Sequence, residues 1–550
     1  MSNKDELLPD QLETIDQNEE DNPNTTTKIS DEDKRLGGSS PLKTICVLSA
    51  GPLISQITGA LYGVVNTIWI SKAIGDAGLT AISTYQNFDT IGRSFASFLQ
   101  VAATAKISSL FGSGLKNEAS QVLSDLLRFS IVCALVAAAV CIPTCRLCVR
   151  WFGAEEDIVE LGYKYIVPNL CITIIPCIFL IGCGCLQAEG RSWLFSITQV
   201  VALVLNMCVF CPLFLLVFKF GIAGAAWATG FAELIPGVVI IILFYKGKFG
   251  IQPKWNEMLK KFSPHTYDAL KIGLAQLVLM LSFAIPGIII RKLLGLACNG
   301  DPVIFNNVMA GYNAFNRFWT IEGAVPNAIN IGFIPAASYA YGAKMNMRVV
   351  HLLIHASWIA VLWCSLCMLL TLCWPKSIAG IFSSTPEYLY WSEIVIRNGN
   401  WATAIIEIPA IITSLLQAMK KGNQSTAISI IVQFLPLPII AGALYASNKT
   451  DLGRIIYCYP IQAVFGVLVS IPFAYFALRE VIRAHKASLI ANEEGELEEI
   501  ANKDGSEKIN DEIDSEKVNS SLKMDQNGNK IEEFQDKVVA TNEEKGIAEL

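Results

Sequence analysis

Charged side chains are scarce in the middle of this sequence. Only 16% of its 550 residues are charged, whereas soluble domains carry roughly 25%. Most of the Asp and Glu lie near the two ends, so the net charge of −6 describes acidic tails and not a binding surface. Nucleic-acid-binding proteins present a basic face, and we therefore expect no nucleic-acid partner.

Motifs for ATP use and metal binding are missing as well. The sequence has no Gly-x-x-x-x-Gly-Lys-Ser/Thr phosphate loop, which excludes a P-loop ATPase. It has only four His, and its 16 Cys lie in or beside apolar runs, where Cys packs as a small apolar residue. We expect neither a metal nor a cofactor. No secretory signal peptide precedes the first apolar run, so that run would serve as the membrane-insertion signal.

The sequence does contain a series of apolar runs of membrane length, which is about 20 residues. Backbone groups in lipid must be hydrogen-bonded internally, and runs this long form helices and not barrel strands. The predicted fold is an all-α polytopic membrane protein. Its twelve predicted helices are residues 44–70, 79–111, 122–143, 160–186, 193–218, 222–245, 268–294, 304–341, 349–374, 388–418, 425–446 and 455–478.

Two sequence motifs recur 230 residues apart. Leu186-Gln187-Ala188 returns as Leu416-Gln417-Ala418, and Gly112 at the end of helix 2 corresponds to Gly342 at the end of helix 8. Because each copy follows an even number of helices, the two halves have the same orientation. This predicts two six-helix, parallel-repeat lobes around a central cavity, an architecture with which transporters alternate access.

The distribution of charge predicts the domain boundaries and the orientation. Lys and Arg are more frequent in the loops on the side of the termini, which places both termini in the cytoplasm. Residues 1–42 and 486–550 are polar and acidic and are predicted to be disordered cytoplasmic tails. The predicted lobes are residues 43–246 and 268–480. Residues 247–267 form a basic, amphipathic linker that we expect at the anionic inner surface of the membrane.

A set of short motifs occurs in a fixed order along the predicted helices. The motifs are Gly51-Pro52 and Val64-Val65-Asn66-Thr67 in helix 1, Ala73-Ile74-Gly75 after it, Leu186-Gln187-Ala188-x-Gly190-Arg191, Asn206 and Pro212 in helix 5, Gly221-Ile222-x-Gly224-Ala225-Ala226-x-Ala228-Thr229, and Pro335-x-x-Ser338-x-x-Tyr341-Gly342-Ala343-Lys344 with Arg348. In this order they resemble the multidrug and toxic compound extrusion (MATE) family, in its prokaryotic-type branch, over roughly residues 44–480. The resemblance implies an exporter of drugs or organic cations that is driven by a proton or sodium gradient.

One part of the family pattern is absent. Family members often carry an Asp in helix 1 and another in helix 5, and the matching positions here are Asn66 and Phe210. With Asn206 and Thr229 they make up a degenerate cation site in the first lobe, without either carboxylate. An Asn does not take up and release a proton near neutral pH, so the coupling group is expected elsewhere. The acid that the eukaryotic-type branch carries in helix 7 is missing too.

Four acidic residues lie at membrane depth, where a charge costs roughly 2.5–3.5 kcal/mol and usually faces the bundle interior. Glu322 and Glu407 are the first candidates for coupling or cation binding. Glu322 has Arg317 five positions away, a spacing at which the two side chains face each other poorly. Glu407 is flanked by apolar residues and Pro409, and its alternative interpretation is a protonated carboxyl hydrogen-bonded to a neighbouring helix.

Asp89 and Glu233 are the other two candidates. Asp89 has Arg93 at i+4, so both side chains lie on one helix face and can pair. The alternative for Asp89 is therefore a structural ion pair that fixes helix packing. Glu233 precedes Pro236 in the way that Glu407 precedes Pro409.

Polar and aromatic side chains at membrane depth are candidates for lining the substrate cavity. Flat organic cations bind over aromatic faces, and amides supply hydrogen bonds. Most aromatic residues in membrane helices serve packing instead, which is the alternative for each of them. The candidates are Gln56, Gln86, Phe315, Trp319 and Trp401.

The sequence thus predicts a cation-coupled antiporter and not an enzyme. We expect a monomer in the lipid bilayer of the plasma membrane or an organelle, with a small-molecule substrate and a proton or sodium ion as coupling ion. Two alternatives stay open. One is a flippase or facilitator of the same superfamily with a neutral or lipid-linked substrate. The other is an intramembrane enzyme, for which the sequence shows no catalytic pair.

Overall fold

The computed structural model describes residues 31–74, 76–151, 156–298, 301–381, 385–449 and 451–504. Within these residues the chain forms no strand and twelve long helical stretches, which coincide with the twelve predicted apolar runs. The first six are α1 (Pro41–Ile74), α2 (Asp76–Gly112), α3 (Lys116–Trp151), α4 (Glu156–Cys171 and Ile174–Ala188), α5 (Ser192–Leu205, continued by the π-helical segments Asn206–Phe210 and Pro212–Val217) and α6 (Ile222–Tyr245).

The second six repeat this arrangement. They are α7 (Pro264–Ala297), α8 (Pro302–Gly342), α9 (Asn346–Cys373), α10 (Pro386–Gly399 and Ile408–Ala418, with the 3-10 turn Thr403–Ile405 between them), α11 (Gly422–Ile428, the π-helical segment Ser429–Phe434, and Pro436–Ser447) and α12 (Leu452–Ile456 and Cys458–Asp504). The short helices Asp31–Leu36 and Pro375–Gly380 lie outside the twelve.

Length and composition identify most of these helices as membrane spans. Of the described helices, eight are long and apolar enough to cross a membrane, and the broken helices α4 and α10 bring the number to ten. The remaining two, α2 and α8, are 37 and 41 residues long but more polar. They are also the helices that carry Asp89, Arg93 and Glu322.

Helices α4 and α10 are broken at the same relative place. The halves of α4 meet at 50° and those of α10 at 42°. Thr173 and Thr403 lie in the two breaks, 230 residues apart. The Thr173 hydroxyl donates to the Leu170 carbonyl at 2.8 Å, and the Thr403 hydroxyl donates to Asn400 Oδ1 at 3.2 Å. Each break therefore holds a threonine whose hydroxyl is bonded three residues back.

The repeat extends to the turns that end four of the helices. The chain passes through left-handed residues after α2 and α8, at Gly114 (φ 74°) and Lys344 (φ 59°), and after α4 and α10, at Gly190 (φ 70°) and Lys420 (φ 61°). In each turn the next N–H donates to a carbonyl five positions earlier, at 2.8–2.9 Å. This is the glycine-type helix ending, and the second lobe builds it with Lys.

Buried apolar side chains join the two lobes at one end of the described structure. The end with these four turns contains a single core to which both lobes contribute, with Leu99 and Ile107 beside Phe333 and Leu415. At the opposite end each lobe has a core of its own. We call these the shared end and the divided end. A contact across the divided end places the Lys292 ammonium 5.3 Å from the Trp151 ring.

Two glycines let α2 and α8 touch at the shared end. A Cβ on Gly112 would lie 2.2 Å from the Tyr339 carbonyl oxygen, and a Cβ on Gly342 would lie 2.2 Å from the Ser109 carbonyl oxygen. The two contacts are reciprocal, because the partners in each pair are related by the 230-residue offset. A side chain at either position would clash with backbone, so both require glycine.

The linker between the lobes is fastened to the first lobe. Asp125 Oδ2 on α3 accepts the Ser263 N–H at 2.8 Å, and Glu189 Oε1 after α4 accepts the Ile251 N–H at 2.8 Å. The linker contains one 3-10 turn, Trp255–Leu259, whose first and last side chains are exposed. Contact of this basic linker with anionic lipid stays a prediction.

Parts of both predicted tails are helical in the described residues. Asp31–Leu36 is helical and α1 begins at Pro41, within the segment 1–42 that the sequence predicts to be a disordered tail. The reason is Leu36, whose side chain is completely buried in the shared core. Helix α12 continues to Asp504, past residue 486, because Ala, Leu and Glu favour extending a helix that already exists. The disorder predicted for residues 1–30 and 505–550 falls outside the described residues.

Candidate functional site

A pocket in the first lobe lies between α2, α4 and α6, beside the break in α4. It is lined by residues of all three helices. The regular helix ends at Cys171 and resumes at Ile174, and Thr173 in the break lines the pocket. The polar residues that line it are Asp89, Arg93, Asn169, Thr173, Thr229 and Glu233.

Arg93 links the two acidic candidates of this lobe. Its Nη2 lies 2.8 Å from Glu233 Oε1, whereas its Nε lies 4.0 Å from Asp89 Oδ2. Asn169 Nδ2 donates to Asp89 Oδ1. The Asp89–Arg93 pair that the sequence predicts within α2 is therefore the longer of the two contacts. Glu233 on α6 lies closer to the guanidinium. Asp89, Glu233 and Asn169 form one site around Arg93.

Glu233 is only partly paired. The residue is 8% exposed, and its Oε2 has no hydrogen-bond partner in the part of the chain that the structure describes. Burying a carboxylate oxygen without a partner is costly. The pocket therefore contains one more carboxylate than guanidinium and an unsatisfied acceptor.

Phenyl rings fill the place where the family pattern has its helix 5 acid. The Phe210 ring lies 6.1 Å from Phe214 and 6.0 Å from Phe231. Nearby, Cys211 Sγ donates to Asn206 Oδ1 at 3.3 Å. This region is apolar, and aromatic packing replaces the charge that a carboxylate would supply.

The four residues of the degenerate cation site do not form one polar site. Thr229 lines the pocket around Arg93, whereas Phe210 belongs to the aromatic cluster. Asn66 Oδ1 and Asn206 Nδ2 are buried and have no partner in the described residues. These two amides are the polar remainder of the site.

The second lobe brings the other two acidic candidates together. Glu322 on α8 is 2% exposed, and both of its carboxyl oxygens lack a hydrogen-bond partner in the described structure. Glu407, which is half-buried at the start of the second half of α10, is near enough to act electrostatically on Glu322. Helix α9 packs beside them: Trp363 Nε1 donates to the Glu322 carbonyl at 2.9 Å, and the next residue, Cys364, is buried.

The sites of the two lobes are related by the repeat. Subtracting 230 from Glu322 gives Gly92, which lines the pocket in the first lobe. Thr173 lines that pocket, and its counterpart Thr403 lies in the break just before Glu407. Both lobes therefore place acidic side chains beside the break in their fourth helix, although at different positions in the sequence.

The candidates for the substrate cavity differ in exposure. Phe315 is 1% exposed and lies in the core of the second lobe between Tyr312 and Tyr459. Burial of this ring in the described structure favours the packing alternative for Phe315, and its place in the cavity stays a prediction. Trp401 is 66% exposed and Gln86 is exposed, whereas Gln56 and Trp319 are half-buried.

Sequence reasoning missed an ion pair between the lobes. Lys106 on α2 is 2% exposed, and its Nζ lies 2.9 Å from Asp268 Oδ2 on α7. Lys420, in the turn after α10, lies close by: burial, and then repulsion from Lys106, lowers its pKa. The only signal in the sequence was a Lys within the small-residue run before Gly112. The pairing itself joins residues 162 positions apart.

Comparisons with known proteins agree with this architecture. The MatE family model matches residues 53–213 and 306–442, which together are more than half of the chain. A MOP superfamily transporter from Pyrococcus furiosus has a TM-score of 0.73 at 18% identity, over 83% of this chain and 99% of its own. An outward-facing multidrug resistance MATE family transporter of the MOP superfamily has a TM-score of 0.71 at 19% identity, over 84% of this chain and 99% of its own.

A MATE structure in the straight conformation also has a TM-score of 0.71, at 19% identity, over 84% of this chain and all of its own. At such identities the likeness to solved structures establishes the fold alone. No curated protein sequence matches the chain.

Proposed function

This chain belongs to the MatE family of membrane transporters, and on that premise we propose that it is a secondary active antiporter. It exports drugs, other toxic compounds or organic cations by alternating access, in exchange for protons or sodium ions and without a cofactor. It is a multi-pass integral membrane protein and a transporter, not an enzyme. In the proposal it works as a monomer in the plasma membrane or an organelle, with both termini in the cytoplasm.

The buried carboxyl of Glu322 carries this proposal. It is 2% exposed, it has no hydrogen-bond partner in the described residues, and a second carboxyl, that of Glu407, acts on it. A charged, unpartnered carboxylate in such a place is unstable. Binding a proton removes the charge and binding a sodium ion offsets it, so this pair has the chemistry of a cation-exchange site.

The positions of the two acids connect this site to the motion of the lobes. Glu407 immediately precedes Ile408–Ala418, the half of α10 that ends at the shared end. Glu322 lies on α8, which reaches the shared end at Gly342. A cation that binds one lobe arrangement better than the other shifts the equilibrium between them. Helices that run from the acids to the shared end are the elements through which this shift would act.

The pocket around Arg93 is the proposed second cation site, in the first lobe. Asp89 and Glu233 together carry more negative charge than Arg93 neutralises, and Glu233 Oε2 is unpartnered in the described residues. The neutral remainder of the family site, Asn66 and Asn206, has no group that can change its charge. Coupling in the first lobe would therefore depend on Asp89 and Glu233.

The proposed substrate contacts are the exposed and half-buried members of the cavity set. Trp401 and Trp319 offer aromatic faces to a flat cation, and Gln56 and Gln86 offer amide groups. All four lie on, or directly beside, helices α1, α2, α8 and α10, which also carry the acids or the contacts between the lobes.

A flippase or facilitator is the second candidate function. The observation that favours it is the aromatic cluster at Phe210, which makes apolar a region where a cation-coupled relative is expected to bind charge. Under this alternative the substrate is neutral or lipid-linked, and its movement needs no ion gradient.

Reconstituted vesicles with an imposed gradient distinguish the two candidates. Protein is inserted into vesicles that contain a fluorescent organic cation such as ethidium, and its efflux is followed with and without an inward proton or sodium gradient. The antiporter proposal predicts that one of these gradients accelerates efflux. Equal rates with and without both gradients would contradict the antiporter and leave the facilitator as the remaining candidate.

The matched variants are Glu322→Gln, Glu407→Gln and the control Glu387→Gln, whose side chain is exposed at the divided end. The two membrane variants are expected to lose the acceleration by the gradient and the control to keep it. Gradient-driven efflux at the normal rate in both membrane variants would show that neither acid couples transport.

A further inference from the structure

The segment Asp31–Gly38 lies across the shared end and contacts both lobes. It consists of one short helix and two glycines and leads into α1. Because it is joined to α1, contact with the first lobe follows from chain connectivity. Contact with the second lobe does not, since its partners there lie more than 300 positions away.

On the first lobe the segment sits on the turn after α4. Arg35 Nε donates to the Glu189 carbonyl at 3.0 Å. Gly190 is left-handed at φ 70°, and a Cβ there would lie 3.1 Å from Arg35 Cβ. The turn therefore needs glycine both for its backbone conformation and for the approach of the segment.

On the second lobe two side chains hold the segment, those of Tyr339 and Arg348. The Tyr339 hydroxyl donates to Asp33 Oδ1 at 2.7 Å. Arg348 Nη2 donates to the Leu36 carbonyl at 3.1 Å and to the Thr44 hydroxyl at 2.9 Å. These bonds join residues that immediately precede or begin α1 to the ends of α8 and α9.

Apolar packing completes the contact. Leu36 is completely buried in the core that both lobes share. Gly37 lies so close to Tyr339 that a Cβ would be 2.9 Å from Cε1 of its ring. A separation of the lobes at this end would expose Leu36 and pull Tyr339 and Arg348 away from the segment.

We propose that Asp31–Gly38 is an intramolecular clasp that holds the shared end closed. Its partners on the two lobes are the Glu189–Gly190 turn on one side and Tyr339 with Arg348 on the other, and it stays fully bound only while these remain together. Opening of the shared end requires release of the clasp from the second lobe. The proposal concerns the equilibrium between the closed and open arrangements of the shared end. Only its consequence for transport rests on the proposed function.

The test measures the separation of the lobes without substrate or gradient. Spin labels are placed at Asn117 on α3 and at Arg479 on α12, both of which are exposed near the shared end. They are introduced as genetically encoded amino acids because the chain has 16 Cys, which would also react with a thiol-directed label. The full chain in lipid nanodiscs is measured by double electron–electron resonance. Leu36→Asp introduces a charge into the shared core, whereas the control Lys34→Asp introduces the same residue at an exposed position two residues earlier.

Leu36→Asp is expected to raise the ratio of long to short distances about tenfold over the parent, and Lys34→Asp to leave it unchanged. Identical distributions in Leu36→Asp and Lys34→Asp would overturn the clasp. If Leu36→Asp does not fold, the double variant Arg35→Gln/Tyr339→Phe decides, since it removes two hydrogen bonds and keeps the apolar contacts. An unchanged ratio in that variant also rejects the proposal. Because this experiment measures no transport, it can reject the clasp while the proposal of coupled transport stands. Likewise, the vesicle experiment can reject coupled transport while the clasp stands.

Discussion

The ammonium of Lys106 and the carboxylate of Asp268 join the two lobes, with Nζ and Oδ2 2.9 Å apart. The Lys106 side chain is 3% exposed and that of Asp268 is 51% exposed, so one partner is buried at the interface and the other reaches solvent. A pair of this kind stabilises little by itself, but breaking it leaves a buried charge without compensation.

We predict opposite consequences for the two single variants of this pair. Asp268→Asn should destabilise the protein by about 2 kcal/mol, because it leaves the Lys106 ammonium buried and unpaired. Lys106→Met, which removes the buried charge, should change stability by less than about 1 kcal/mol. Thermal unfolding in detergent measures both. A larger loss in Lys106→Met than in Asp268→Asn would contradict the assignment of the cost to the buried ammonium.

The reciprocal glycine contact gives a second prediction. Gly112→Ala and Gly342→Ala each place a methyl group 2.2 Å from a carbonyl oxygen of the other lobe, and overpacking of this kind costs about 1–3 kcal/mol. Both variants should therefore populate the open arrangement of the shared end more than the parent does, as measured by the same label distances.

The control for this prediction is Gly59→Ala on α1, where a Cβ would meet nothing within 4 Å. It should leave the label distances unchanged and, in a helix interior, stabilise the protein slightly. Label distances that are unaffected in both lobe-contact variants would show that the shared end does not depend on the close approach of α2 and α8.

The equivalent turns after α2 and α8 give a third prediction. Lys344 adopts φ 59° and Gly114 φ 74°, and a side chain in this region costs roughly 1–2 kcal/mol. Lys344→Gly should stabilise the protein by about 1 kcal/mol, and Gly114→Ala should destabilise it by a similar amount. No atom would lie within 4 Å of a Cβ on Gly114, so the loss there would be a backbone effect. Denaturation midpoints that move in the same direction for both variants would contradict this account.

The buried carboxyl of Glu189, which binds the linker, should make the stability of the protein depend on pH. Burial raises the pKa of its carboxyl above the ordinary value near 4.5, and hydrogen bonds from Ile251 N–H and Arg191 oppose this shift. A carboxyl whose pKa is raised on folding favours the folded state less as pH rises from the unfolded pKa through the folded one.

Glu189→Gln keeps an acceptor for the Ile251 N–H and does not titrate. The melting temperature of the parent should therefore fall relative to that of Glu189→Gln as pH rises above about 4.5, and the difference should level off once Glu189 is ionised. A difference in melting temperature that stays constant across this range would contradict the raised pKa.

The helices and the repeat were predictable because their causes are local. Each apolar run has the length of a membrane span, and the motif that begins at Leu186 returns at Leu416 with the same turn behind it. Left-handed Gly190 and Lys420 follow the two copies at equal distance. A helix ending of this kind depends on a few neighbouring residues, so a period in the sequence becomes a period in the backbone.

The arrangement of the sites depended on contacts that are distant in sequence. Arg93 is nearer to Glu233, 140 positions away, than to Asp89 on its own helix, and this choice is set by how α6 packs on α2. Phe315 looked like a cavity residue from its position on α8, but packing against Tyr459 buries it. Leu36 lies in a polar stretch whose composition indicates disorder. Its burial exists only because two lobes meet there.

The central claim is that Glu322 and Glu407 exchange a coupling cation. Its most direct test measures whether a cation is released when substrate binds. Ethidium is added to the purified protein in weakly buffered detergent with a pH-indicator dye, and in a parallel sample that has been equilibrated with radioactive sodium. Binding of ethidium to the parent and to Glu387→Gln should release protons or sodium ions. Glu322→Gln and Glu407→Gln should bind ethidium without this release. Release at the parent's level from both membrane variants would contradict the account.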